Sequence, residues 1–232
     1  MLFGKRFMIS QSSQDYLKTI YKLTYGVRPV DSVTTSLVAE KMDVAPASAT
    51  NMLKKLDEMK LVEHTPYQGV FLTPTGRRVA LEVIRHHRLL ELYLSEVLGY
   101  DLDKVDAEAD RLEHVISEEF EDKIDAVLGH PTVDPHGAPI PGKDGSIEHG
   151  EYLVLSDILA GECVRIRQVS DQNAEMLRYM GTMGIKPNAQ IEVVERAPFN
   201  GPMEIVVEGD GSYSIGLEVA GHIYVSPRED EG

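Results

Sequence analysis

Residues 105–114, Val-Asp-Ala-Glu-Ala-Asp-Arg-Leu-Glu-His, constrain this chain more than any other stretch. Apolar Val105, Ala109, Leu112, Val115 and Ile116 recur at helical spacing, which predicts a helix with one buried stripe. Asp110, Glu113 and His114 stand at i, i+3 and i+4 and share a face, with Asp106 one turn earlier. Three carboxylates beside an imidazole repel one another unless protons or a cation intervene. Oxygen donors with one neutral imidazole suit a divalent ion such as Mn²⁺ or Fe²⁺. The plainer reading is a solvated acidic face on an acidic protein. A second His-plus-carboxylate pair favours the ion, because His87 and Glu91 stand at i, i+4 on another strongly helical stretch.

The formal net charge of −15 argues at first against a nucleic-acid partner, but it is unevenly spread. Residues 1–78 hold eleven Lys and Arg against seven Asp and Glu, whereas 79–232 hold twelve against thirty-one. A mildly basic front permits one phosphate-binding module, and the acidic remainder is free for cations. The single cysteine, Cys163, excludes an intramolecular disulfide and fits a reducing cytosol. No apolar run reaches the length of a membrane span, and residues 1–9 lack the apolar core of a signal peptide. A cytoplasmic location is expected.

The basic front reads as helices followed by a hairpin. Ser12-Ser-Gln-Asp15 predicts a helix start, with Tyr16, Leu17, Ile20 and Tyr21 inward and Gly26 as the stop. In that reading Asp15 lies in the first turn, where charge at a helix N-terminus gives it a purely structural use. Residues 32–42 and 47–59 predict two short helices around a turn at 43–46, the helix-turn-helix layout. The second would offer Ser48, Thr50 and Asn51 to base edges and Lys54 and Lys55 to phosphates. Residues 61–64 and 70–73 predict a hairpin wing with Tyr67 at its tip. Such units also serve as protein-contact modules, but their order on the basic part of the chain favours double-stranded DNA.

Thr73-Pro74 opens a long helix, with Thr73 as cap and Pro74 at the first position. It runs to about Leu98 and stops at Gly99. Apolar-faced helices with no sheet of their own commonly bury that face against a second copy, so a homodimer reading a palindromic operator is expected. Residues 129–142 are rich in Pro and Gly and form a connector. His130, His136 and His149 fall in loop without carboxylates at ligand spacing, which makes them weak metal candidates. From residue 152 short alternating strands predict a small β-barrel, with a helix at 174–180.

Taken together, Asp15-Tyr-Leu-Lys-Thr-Ile-Tyr21, Leu72-Thr-Pro-Thr-Gly-Arg77, Arg85-His-His-Arg-Leu-Leu-Glu91, Glu113-His114 and Pro135-His-Gly-Ala-Pro-Ile-Pro141 resemble the diphtheria-toxin-repressor family of metal-dependent transcriptional regulators. The resemblance spans nearly the whole chain. It implies a mainly α fold with a small β part. Residues 1–75 would be a winged helix-turn-helix, 76–145 a helical dimerisation and metal-binding domain, and 151–227 an SH3-like β-barrel related to an iron-transport accessory protein. It also implies a primary metal site of Asp15, Asp110, Glu113 and His114. The ancillary site would use His87, Glu91 and Asp106, with Asp171 and Glu175 as further donors from the third module. Iron-responsive relatives carry sulfur at the positions of Asp15 and Asp110, so hard oxygen donors here favour Mn²⁺ over later metals, with Fe²⁺ as the alternative. Some manganese relatives have a carboxylate at the position of Lys18, which speaks against a two-metal cluster of their type. A metal-dependent hydrolase is the reading from another class, but no nucleophile or phosphate loop is evident.

Overall fold

A computed structural model describes residues 9–65, 69–171 and 173–228. They fall into two compact units, one of 9–86, Glu113–Ile116 and Pro141–Ser146, the other of His87–Leu112, Ser117–Ile140 and 147–228.

The first unit opens with α1, Gln11–Tyr25. Its N-cap is Ser10, whose side chain accepts from the Ser13 amide, so the helix starts earlier than the Ser12 pattern predicts. Asp15 is thereby the fifth helical residue, and no acidic side chain occupies the first turn. The structural use expected for Asp15 disappears with that shift. Helix α2 covers Thr35–Lys41 and α3 covers Pro46–Glu58, with Pro46 inside the helix as its first residue. Leu17, Ile20, Val38, Ala49, Leu53 and Leu56 are fully buried at helical spacing. Strands β1, Val62–Thr65, and β2, Gly69–Leu72, pair antiparallel from Val62 with Leu72 to Thr65 with Gly69. This is the expected wing. Residues 66–68, including Tyr67, lie outside the described residues.

Helix α4, Pro74–Glu96, begins as expected, with the Thr73 hydroxyl accepting from the Gly76 amide. A Cβ on Gly76 would lie 1.8 Å from the Leu61 carbonyl oxygen, so only glycine lets α4 start this close to the wing. Gly76→Ala is expected to destabilise the first unit by roughly 3 kcal/mol, the upper end for overpacking, because backbone rather than a flexible side chain must yield. Urea denaturation followed by circular dichroism measures this.

In the second unit, α5 covers Leu102–Leu112 and α6 covers Glu118–Val127, the latter capped by Ser117. Helix α5 stops short of the expected end at His114, leaving Glu113 and His114 in the turn that follows. It buries Val105 and Ala109, one helical turn apart. The connector is held by an Asx turn, in which Asp134 Oδ1 accepts from the amides of His136 and Ala138. Gly137, at φ +89°, lets it approach so closely that a Cβ would lie 2.0 Å from the Arg167 carbonyl oxygen.

Strands β3 (Leu153–Val154), β4 (Cys163–Val169), β5 (Gln190–Arg196), β6 (Met203–Val207), β7 (Gly211–Ile215) and β8 (Ile223–Pro227) form one antiparallel sheet. Its order is β3-β8-β4-β5-β6-β7, with α7 (Ala174–Gly181) and α8 (Leu217–Ala220) as its helices. Ile166, Ile191, Val193, Ile205, Ile215 and Ile223 fill its core with Met180 from α7. The closed barrel expected from strand spacing is corrected here: among the described residues β3 and β7 are unpaired edges. Alternating strands show which residues face inward, but closure depends on pairing between strands far apart in sequence.

Candidate metal centre

Helix α1 and the turn after α5 bring together groups about a hundred residues apart. Asp15 Oδ1 lies 2.8 Å from His114 Nε2, and Glu113 Oε1 lies 3.4 Å from the same nitrogen. One donor atom from each of Asp15, Glu113 and His114 falls within 4.8 Å of the other two. Two acceptor carboxylates thus converge on one ring nitrogen, an arrangement that requires a proton or a cation between them. Burial pushes the Asp15 carboxyl above its ordinary value; His114 opposes the rise, Glu113 adds to it, and Lys18 opposes it.

Glu113 is 1 % exposed and is held at both ends. Lys18 Nζ donates to its Oε2 at 2.8 Å, and His86 Nδ1 lies 2.9 Å from its carbonyl oxygen. The His86 contact gives that carbonyl a partner in the turn that follows α5. On the other edge of the His114 ring, Nδ1 lies 2.6 Å from Gln14 Oε1. Nothing in the spacing of His86 or Gln14 marks them as partners of residues 113–114, and Lys18, noted only for the carboxylate that some relatives carry there, is now seen as the partner of Glu113.

The second unit holds further titratable groups. His87 Nε2 lies 3.5 Å from Glu91 Oε1 and 3.3 Å from Asp106 Oδ1, while Asp110 Oδ1 lies 3.2 Å from His87 Nδ1. His136 joins them, with Nε2 at 3.4 Å from Glu91 Oε1. Glu91 and His136 are buried, and neither the Glu91 oxygens nor the His136 ring nitrogens make a hydrogen bond of normal geometry. Buried polar atoms left in this condition fit an ion's coordination sphere. Burial would raise the Glu91 carboxyl, but His87 and His136 overcome it and hold the group below the carboxylate range.

Asp134 adds a further buried carboxyl, pushed up to about 6 by burial and by the Glu91 charge, against Arg88. Arg88 Nε lies 3.5 Å from Asp134 Oδ2, and its Nη1 donates to the Pro139 carbonyl. For His136, burial lowers the basicity of the ring, but Glu91, Asp134 and Asp171 outweigh it and raise its pKa. Asp171 contributes to that rise as the least of these carboxylates, whereas Glu175 is exposed in the first turn of α7. The sequence placed His136 in loop without partner carboxylates; Asp134, two residues away, is the signal that could have found it. His130 stays on the surface beside Asp125 at 2.8 Å, and His149 is exposed.

On α3, Ser48, Asn51, Lys54 and Lys55 are exposed while Ala49, Leu53 and Leu56 are buried. Ser48, Asn51 and Lys55 recur at i, i+3 and i+7 on one outward face. Thr50 is half-buried, and its hydroxyl donates to the Pro46 carbonyl at 2.8 Å.

A winged helix with an outward polar and basic face, in a chain that also carries carboxylate–histidine clusters, is the combination expected of a metal-responsive DNA-binding protein. Residues 8–70 match the iron dependent repressor N-terminal DNA binding domain. Residues 73–142 match the iron dependent repressor metal binding and dimerisation domain, and 153–227 the FeoA domain. The iron-dependent repressor IdeR of Mycobacterium tuberculosis (strain ATCC 25618 / H37Rv) is 30% identical over 222 residues, 90% of this chain and 94% of that protein. The diphtheria toxin repressor of Corynebacterium diphtheriae is 36% identical over 196 residues, covering 80% and 85%. Among solved structures, a manganese-dependent transcriptional repressor in complex with manganese superposes with TM-score 0.87 at 36% identity, covering 93% of this chain and all (100%) of that one. The manganese regulator SloR superposes with TM-score 0.75 at 31% identity, covering 93% and 98%. The chain belongs to the diphtheria-toxin-repressor family of metal-dependent transcriptional regulators. Its relatives are repressors rather than enzymes.

Proposed function

We propose that this protein is a cytoplasmic, manganese-responsive repressor that binds a palindromic operator as a homodimer and controls metal-uptake genes. The observation that carries this reading is the convergence of Asp15, Glu113 and His114 from distant parts of the sequence. The resemblance implies Asp110 as a further donor, and in this structure its Oδ1 stands 3.2 Å from His87 Nδ1. All but one of these donors are hard carboxylates, which favours manganese over later metals. His87, Glu91 and Asp106, with His136 beside Glu91, form the second metal site.

Manganese(II) bound at the first site supplies the positive charge that the carboxylates lack. Asp15 and His114 then hold α1 against the turn after α5, so the winged helix is fixed for DNA. Only a difference in metal affinity between DNA-competent and other arrangements shifts that balance. Tyr100, Leu102, Phe120 and Val127 remain exposed on the second unit, as expected of an apolar surface covered by a second copy. In the dimer the recognition helices would lie about one DNA turn apart, or a multiple of it.

A pool of random-sequence duplexes, selected with Mn²⁺, gives the operator probe. Fluorescence anisotropy on the enriched duplex then compares Mn²⁺, anaerobic Fe²⁺ and chelator. Tight binding with Mn²⁺ and its loss in chelator are expected; equal affinity in both contradicts the reading. Equal activation by Fe²⁺ assigns the protein to the iron-responsive type. On that probe, Asn51→Ala is expected to cost about 1–3 kcal/mol and relax specificity, whereas Lys54→Ala weakens all duplexes and lowers the salt slope by about one. Titration of the two variants at several salt concentrations separates these effects.

A further inference from the structure

The imidazole of His114 is gripped on both edges by consecutive residues of α1. Gln14 Oε1 lies 2.6 Å from Nδ1, and Asp15 Oδ1 lies 2.8 Å from Nε2. The His114 side chain is 7 % exposed, so little water reaches Nδ1 in place of the amide. An amide oxygen only accepts, and a neutral imidazole carries a single N–H. A proton placed on Nδ1 leaves Nε2 with its lone pair toward Asp15 and Glu113, the two carboxylates of the candidate site.

We propose that Gln14 is a positioning residue whose amide oxygen holds the Nδ1 proton of His114 and so directs the Nε2 lone pair to the cation. The proposal rests on reading Asp15, Glu113 and His114 as metal donors. Which nitrogen of a histidine takes the metal is set by the hydrogen bond that the other makes. A neutral amide sets this without adding another negative charge beside Asp15 and Glu113. Its backbone is fixed for the task, because the Gln14 amide donates to the Ser10 carbonyl in the first turn of α1 at 3.1 Å.

The test compares wild type, Gln14→Leu and Gln14→Glu. Mn²⁺ affinity is read from the electron paramagnetic resonance of free Mn²⁺. Gln14→Leu is expected to lose about 10–100-fold in affinity, the usual effect of removing such a partner. Gln14→Glu keeps an acceptor and is expected to restore affinity to near the wild-type value. Stability to denaturation of Gln14→Leu in chelator is expected to fall by less than the loss in Mn²⁺ affinity, because the metal-free ring can move its proton to Nε2 and donate it to Asp15, which separates positioning from general structural support. In Zn²⁺-loaded protein labelled with ¹⁵N-histidine, the Nδ1–H proton of His114 should be protected from exchange in wild type and Gln14→Glu and lost to exchange in Gln14→Leu. Unchanged affinity with a protected proton in Gln14→Leu overturns the proposal, as does an affinity loss matched by equal destabilisation in chelator. If Zn²⁺ leaves the wild-type His114 resonances unmoved, the donor assignment fails and the role of Gln14 falls with it.

Discussion

Asp15→Ala is expected to abolish the gain in DNA affinity on adding Mn²⁺, while the fold in chelator remains intact. Metal coupling of this kind is typically worth about 5–150-fold in affinity, and the whole of it should vanish. In the proposed site Asp15 is the donor from α1, and its loss would leave a bound ion held by Glu113 and His114 without a ligand on that helix. The same substitution relieves rather than creates strain in the metal-free protein. Burial raises the Asp15 carboxyl, so its anion is disfavoured in the fold. A carboxyl with a raised pKa contributes stability at low pH that is lost as pH rises through the folded value. At neutral pH the alanine variant should therefore be at least as stable in chelator as the wild type. Anisotropy titrations with Mn²⁺ and with chelator, paired with urea denaturation, check both halves. Retention of the Mn²⁺ response would contradict the role given to Asp15.

Lys18→Met is expected to destabilise the metal-free protein by about 3–5 kcal/mol, as when one partner of a buried ion pair is removed. Lys18 and Glu113 have side chains only 10% and 1% exposed, and their charged atoms meet at 2.8 Å. Methionine keeps the apolar stem but leaves the Glu113 carboxylate without that cation. Mn²⁺ bound beside Glu113 would restore part of the missing positive charge, so the loss should shrink in saturating Mn²⁺. Urea denaturation of wild type and variant, each in chelator and in Mn²⁺, measures the difference. An equal loss in both conditions would place Lys18 outside the metal's influence.

Much of the architecture is legible in the residues because local rules and tertiary packing agree. The wing, the helix-turn-helix and the long helix opening at Thr73-Pro74 lie within a residue or a few of their expected bounds. The exceptions arise where distant groups decide. Ser10 and Ser12 are both plausible caps, and choosing Ser10 moves Asp15 out of the first turn into the body of α1. Helix propensity carries α5 through His114, but the contact of His86 with the Glu113 carbonyl accompanies an earlier end. Asp15, Glu113 and His114 were recognisable by chemistry and resemblance, whereas Gln14 and Lys18 gain meaning only when α1 meets residues 113–114. Likewise His136 reads as a loop histidine until the connector, admitted by Gly137 against β4, sets it beside Glu91. Strand alternation marks the core of the sheet but carries no information on whether its edges meet.

Crystals grown with MnCl₂, with diffraction recorded on both sides of the manganese absorption edge, locate the ion without reference to DNA. An anomalous peak bounded by Asp15 Oδ1, Glu113 Oε1 and His114 Nε2 is expected. Asp15 turned to solvent, with no peak beside His114, would contradict a cation joining α1 to residues 113–114.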